Sequence, residues 1–425
     1  MAIDYINPGG IYWPVVKNYW PQTYIYWPLS SDILPVVDSC FITIPPQGGI
    51  ASYYFCLLRD VNGNLLAVFD SWIGLSWREA ILEVYEGTFS IIGTDSRTLL
   101  FSEDYRLEIY HSVPGAGLDW YIECTLLVDG YYYITNDNGE KEFIVELVGL
   151  NDFARRREVG YKAGTVRADK SGPADTVMQA YAVENIGNMA TVANNRLIDG
   201  TTPNLSIGGA VGTAKYWQGS AAGQNLLVLL QDIAKYAGID FEITRTGVDS
   251  WNLQIFPNKK GSDRTNVGLD PNTGKNAAGN APVYFSVPFG TVSSQEYHKS
   301  RRAEYNTIIV WGKGDRSTQA VVVRSNSERT ATKYNKRELS VSGSVEYTYQ
   351  MNAIGDQALE LNKFEETFQM VPLQQASQLY GKHYFLGDRL MVIDERTQTL
   401  YTKRIVGVST SLEGSGNEQR TFEFE

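Results

Sequence analysis

Three histidines, His111, His298 and His383, are the first place to look for chemistry in this 425-residue chain. An imidazole can bind zinc or act as a base, but each role needs partners within reach. None of the three lies at metal-ligand spacing from another His or Cys. They read as surface or strand-end residues. Cys40, Cys56 and Cys124 show no CxxC spacing, and their odd number argues against a disulfide framework. They read as buried free thiols of a chain folded in a reducing cytoplasm. Gly268-Leu-Asp-Pro-Asn-Thr-Gly-Lys275 has the outline of a phosphate loop. Its glycines are separated by five residues where the motif has four, and Asn276 stands where Ser or Thr should meet magnesium. Asp60-Val-Asn-Gly-Asn64 and Asp137-Asn-Gly-Glu140 lack the rest of a calcium loop, and hairpin turns account for both. Glu365 and Glu366 are neighbours, so on the helix expected there they point apart. No Gly-x-Ser-x-Gly elbow occurs. These residues predict no catalytic site, no metal and no cofactor. A carboxylate pair distant in sequence is the one arrangement that spacing does not test.

Charge narrows the partners. The chain has 37 Lys and Arg against 48 Asp and Glu, a formal net charge of −11. A sequence-independent nucleic-acid binder needs a basic face, so that class is disfavoured. A like-charged wall would still let DNA slide past without sticking. Two basic clusters stand against this background, Arg155-Arg156-Arg157 and Lys299-Ser-Arg301-Arg302. Each lies beside an expected domain junction. One reading is solvated charge at strand ends. The other is pairing with carboxylates of a neighbouring subunit, where planar guanidinium is the better donor.

The elements that must position these residues are mostly strands. Twenty-seven Tyr, 9 Trp and 39 Gly favour strands joined by tight turns. A chain this long should form two to four domains. No stretch approaches the ~20 apolar residues that span a bilayer, and the first residues do not read as a signal peptide. Residues 1–35 form an arm in which Tyr12-Trp13-Pro14, Tyr19-Trp20-Pro21 and Tyr26-Trp27-Pro28 recur every seven residues. Each proline keeps its tryptophan extended. Such an arm cannot bury its own rings, so Trp13, Trp20 and Trp27 must lie on the chain's own body or on a neighbouring subunit.

Residues 36–165 read as short strands at 40–44, 52–58, 65–69, 87–92, 105–110, 120–127, 131–134 and 143–147, with Asn62-Gly63 as a hairpin turn. Residues 166–300 change character. A helix covers 174–185, and a second carries Leu226, Leu229, Leu230, Ile233 and Ala237 before Gly238 ends it. A hairpin then puts Ile239, Phe241, Ile243, Trp251, Leu253 and Ile255 on one face. Residues 257–281 read as a mobile polar loop. Residues 301–425 return to strands, with Leu339 to Tyr349 alternating in parity. One helix interrupts them, striped by Ile354, Ala358, Leu361, Phe364 and Phe368, the last two as candidate contacts with a neighbouring subunit.

One succession of elements resembles the tail-hub proteins of tailed bacteriophages. It is a strand at 143–149, a short helical turn containing Leu150, the arginines 155–157, an extended arm and the helix at 174–185. Other matching pieces are Gly87-Thr-Phe89, the helix and hairpin at 226–256, Ser300-Arg-Arg-Ala-Glu-Tyr-Asn-Thr-Ile-Ile-Val-Trp-Gly312 and Tyr380-Gly-Lys-His-Tyr-Phe-Leu-Gly-Asp388. The resemblance covers roughly residues 70–425 and leaves the arm outside. It implies a mainly β fold with an α+β insert: two tail-tube-like β-barrel domains, 36–165 and 301–425, separated by a small helix-plus-hairpin domain at 166–300. It implies architecture and not catalysis. The expected protein is a homotrimer at the tail tip or baseplate of the virion, made in the host cytoplasm. Its ring would adapt the sixfold tail tube to threefold tip components and line the DNA channel. The implied partners are the tail tube or distal tail protein, and the tip, fibre or tape-measure proteins. DNA would enter only as transiting cargo, and no membrane insertion is expected. A second hypothesis, suited to the Tyr and Trp content, is a glycan-binding or glycan-cleaving host-receptor protein.

Overall fold

One long sheet runs through most of the molecule and sets where everything else can sit. It is seen in a computed structural model, which describes residues 51–425 apart from 136–138, 161–164, 166, 195, 197, 213, 328–333, 343–346 and 415–417. The expected arm with Trp13, Trp20 and Trp27 lies outside the described residues, as do the expected strand at 40–44 and Cys40.

The first β unit holds β1 (Tyr53–Arg59), β2 (Leu65–Phe69), β3 (Gly74–Ala80), β4 (Glu86–Ile92), β5 (Arg106–Val113), β6 (Leu118–Thr135) and β7 (Lys141–Gly149). Alternation sends Leu58, Phe69, Leu75, Phe89, Leu107, Leu126, Phe143 and Val145 into one core. The β1–β2 turn takes the form expected from Asn62-Gly63. Gly63 has φ +86°, and the Asp60 carboxylate accepts the Asn62 and Asn64 amides at 2.9 and 2.8 Å. That local use of Asp60 accounts for the calcium-like spacing. Two details differ from expectation. β3 was not foreseen. The strands expected at 120–127 and 131–134 are one strand, β6, with an irregularity in its pairing between Val128 and Gly130.

The middle of the chain is an α+β unit. It holds α1 (Asp152–Arg155), β8 (Ala168–Pro173), α2 (Ala174–Asn185), β9 (Leu205–Ile207), β10 (Tyr216–Ala221), α3 (Leu226–Ala237), β11 (Asp240–Gly247) and β12 (Ser250–Phe256). Asn225 caps α3 by accepting the Val228 amide, and left-handed Gly238 closes it. The buried faces of α2 and α3 meet Phe241, Ile243, Leu253 and Ile255 of the hairpin.

The second β unit is discontinuous. It holds β13 (Tyr284–Phe285), β14 (Val292–Ser300), β18 (Glu365–Pro372), β19 (Arg389–Asp394), β20 (Thr399–Glu413) and β21 (Glu418–Phe424). Its core is Phe285, Phe368, Met370, Tyr384, Leu390, Val392, Phe422 and Phe424. Residues 284–300, expected within the insert, therefore pair with this unit through β13–β19 and β14–β18. Between β14 and β18 hangs a small lobe. Its strands β15 (Thr307–Trp311), β16 (Val321–Ser325) and β17 (Glu338–Ser342) lie in the order β16-β15-β17. Helix α4 (Thr348–Leu361) covers one face of them through Met351, Ile354 and Ala358.

The expected helix stripe needs correction. Tyr349 belongs to the helix and not to a strand. Asn362 caps α4, so neither Phe364 nor Phe368 is helical. Phe368 sits in β18 opposite Phe424 and is 1% exposed, so it packs within its own chain and not against a neighbour. Glu365 and Glu366 are also in β18, where alternation again turns them apart. The polar loop after β12 is tethered to the second unit. The Asp388 carboxylate accepts the Ser262 amide at 2.7 Å and Arg264 Nε at 2.5 Å. Buried Asn276 donates to the Asp263 and Thr265 carbonyls.

The two β units share their sheet through β3 and β20, paired antiparallel from Gly74 with Glu413 to Ala80 with Gly407. The main path runs β14-β18-β21-β20-β3-β4-β7-β6-β5-β1-β2.

Candidate functional site

Period-two alternation gives the shared sheet two chemically opposite faces. The inner face buries Trp77, Phe89, Phe143, Val408 and Phe422. The outer face carries Ser76 and Arg78 from β3, Glu86 and Thr88 from β4, Glu146 from β7, Ser409 and Ser411 from β20, and Gln419 and Thr421 from β21. These residues line one concavity of about 740 Å³ across the β3–β20 seam. β3 and β4 approach closely there. A Cβ at Gly87 would stand 2.8 Å from the Ser76 carbonyl, so glycine is required. Ser76 and Thr88 hydroxyls meet at 2.8 Å. Arg78 reaches Glu423 at 2.8 Å and Glu83 at 2.6 Å. The Glu423 hydrogen bond pushes the guanidinium further up from its ordinary value, against partial burial. The lining adds Asp129 and Arg155, so carboxylates outnumber cations on this wall. It can hold water and repel polyanions. Its described lining includes no His, Cys or Lys.

Beneath the seam lies a buried ionic joint. Glu123 on β6 of the first unit pairs with Arg420 on β21 of the second, and with His111 Nδ1 at 2.7 Å. Arg420 also reaches Glu418, and the Tyr54 hydroxyl at 2.6 Å. Burial works against ionising Glu123, but Arg420 and then His111 hold it down at about 2. Two further clusters fasten the α+β unit. Glu108 receives Arg59 at 3.0 Å, Arg245 at 3.2 Å and Arg106 at 3.4 Å. Arg404 on β20 pairs with Asp240 on β11 and with Glu425. No spacing rule brings these groups together. Arg420 shares a face of β21 with Phe422 and Phe424, but the strand also carries Glu418 and Glu423, so no local signal set it apart.

The basic clusters named from sequence are partly paired within the chain, at its surface. Arg155 pairs with Asp152, and Arg156 with Asp152 and Asp104. The Arg157 carbonyl accepts the first amide of α3, from Leu226, at 2.8 Å. Arg301 pairs with Glu304 and reaches Asn335. Arg302 is exposed. Phe364 is half-buried under the Lys299 ammonium, which is 5.0 Å from its ring. His111 is buried in the joint, His298 is exposed on β14 and His383 is half-buried. Cys56 and Cys124 are buried free thiols separated by β5, both pushed up by burial. Among the described residues no group of three or more His, Cys, Asp and Glu is placed to hold a metal. No described helix is long and apolar enough to cross a membrane.

The mainly β fold is similar to that of two solved phage tail proteins. The 43 kDa tail protein of prophage MuSo2 from Shewanella oneidensis aligns with a TM-score of 0.52 at 12% identity, covering 87% of this chain and 98% of that one. The tail protein from Neisseria meningitidis MC58 aligns with a TM-score of 0.50 at 10% identity, covering 88% and 96%. No curated protein sequence matches. The chain belongs to the Siphovirus ReqiPepy6 Gp37-like protein family, whose model matches residues 56–424.

Proposed function

We propose that the chain is the hub of a phage tail tip or baseplate, a homotrimer around a conduit that DNA crosses. One observation carries this reading. The strands β14, β18, β21, β20, β3, β4, β7 and β6 alternate in direction at every step. An even number of alternating strands leaves the two outer ones running oppositely. β14 pairs only with β18, and the second half of β6, residues 129–135, only with β7, among the described residues. So β14 of one copy can continue, antiparallel, the free half of β6 in the next. An unpaired strand edge is a ready template for such addition.

The residues at that edge fit burial better than solvent. Tyr131, Tyr132, Tyr133 and Ile134 are 44%, 44%, 53% and 44% exposed. Three copies joined head to tail close a circle through one repeated contact. The two β units of each chain then act as tube-like domains, giving six around a threefold axis. The acidic, hydroxyl-bearing face becomes the wall of the conduit, where DNA phosphates are repelled and not held. In this reading the neighbours are the tube or distal tail protein on one side, and tip, fibre or tape-measure proteins on the other.

Light scattering tests the assembly. The full chain should have the mass of a trimer. The double substitution Tyr131→Asp, Tyr133→Asp should reduce it to a monomer with unchanged circular dichroism. A wild-type chain that stays monomeric at all concentrations and ignores tube rings would sink the hub reading.

A further inference from the structure

β3 carries the first unit's share of the seam, and Glu79 is its penultimate residue. Its side chain lines a cavity of about 520 Å³ where β6, β11, the chain after β12 and the turn before β19 converge. It is 7% exposed. Its carboxylate accepts Trp77 Nε1 at 2.9 Å, and no ion pair reaches it among the described residues. The groups facing it come from every element around. β6 brings Tyr121, Glu123 and Cys124. β11 brings Glu242 and Arg245, with Lys260 beyond β12. Tyr85 precedes β4, and Tyr380 comes from the second unit. Arg420 and His111 stand behind Glu123. Each cation is already engaged, Lys260 with Glu242, Arg245 with Glu108, and Arg420 with Glu123 and Glu418. A charged Glu79 would therefore be poorly solvated and would face two further carboxylates. A neutral Glu79 fits without that penalty.

We propose that Glu79 makes the joint between the two β units a proton-operated catch, closed while its carboxyl is neutral and loosened when it ionises. This goes beyond the ring reading and does not depend on it, because every group invoked lies in one chain. Burial first, and the Glu123 charge next, push Glu79 from 4.5 up to about 7. The Trp77 hydrogen bond and Lys260 oppose the rise. The sign follows from linkage. The closed joint binds the proton more tightly than the opened one. Its stability is therefore complete below about 4.5 and is lost as pH rises through about 7.

Hydrogen exchange on the full chain tests this, read as protection factors corrected for the intrinsic pH dependence. Between pH 5 and 8, protection in β3 and β20 should fall about tenfold or more, while β15–β17 stay level. Glu79→Gln should abolish the fall and keep the pH 5 protection at pH 8. Glu79→Met, uncharged and of similar size, serves if Gln does not fold, and the wild-type profile stands on its own. Flat wild-type protection across this range overturns the proposal. So does a Glu79→Gln protein that keeps the whole fall, since a different group would then be responsible.

Discussion

The first β unit comes from one uninterrupted stretch of chain, whereas the second is assembled from pieces that the lobe and the polar loop keep apart. Each has its own apolar core. They differ in how their strands are gathered. The strands of the first unit all lie between residues 53 and 149, although β1 pairs with β5 and β4 with β7 across intervening strands. The second needs β21, at the far end of the chain, to lie between β18 and β20. β20 in turn completes the seam with β3. The contiguous unit supplies a template, and the discontinuous one is locked onto it by charge as well as by backbone pairing.

The sharpest way to break this comparison is Arg420→Ala. It leaves Glu123 in one unit with His111 alone and takes the arginine from Glu418 in the other, which should cost about 3–5 kcal/mol. Urea unfolding should then shift both units together. A transition that moves only for the second unit would show that the joint is not shared. The same change should raise Glu123 from its depressed value of about 2. A depressed carboxylate stabilises above about 4.5 and loses that contribution as pH falls through about 2. The variant should therefore lose less stability than wild type on acidification, measured by the urea midpoint against pH.

Met351→Ala sharpens the comparison from outside both units. Met351 is 1% exposed in the lobe's own small core. Its loss should cost about 2–4 kcal/mol and appear as faster exchange confined to β15–β17 and α4. Spread of that effect into β14 and β18 would make the lobe part of the second unit. Arg78→Ala has the smallest expected effect. Its pairs with Glu83 and Glu423 are partly solvated, so stability should change by about 1 kcal/mol or less. A larger loss would give the polar wall a structural duty.

Much of this was legible from local signals. α2, α3 and the β11–β12 hairpin carry periodic buried faces, and α3 has its own caps. β1, β2, β4, β5 and β7 are short runs rich in apolar and aromatic residues. β3 escaped notice because Trp77-Arg78-Glu79 offers no simple alternation. Glu79 is buried by groups from β6 and β11, which sequence spacing does not reveal. β14, Val-Ser-Ser-Gln-Glu-Tyr-His-Lys-Ser, escaped because it is an edge strand with a wet outer face. Phe364 and Phe368 continued the helical spacing across Asn362 by coincidence, and β pairing overrode it. The basic clusters were visible, and Asp152 and Glu304, each about a turn away, pair Arg155, Arg156 and Arg301 within the chain.

Ser300 and Glu365 are direct partners across β14 and β18. The chain therefore departs from the ladder and returns to it at a single rung, and the whole lobe is spliced in between. Such a splice point is a natural docking port for novelty. Descendants can lengthen, trade or discard the cassette hung there while the strands on either side inherit an unaltered scaffold.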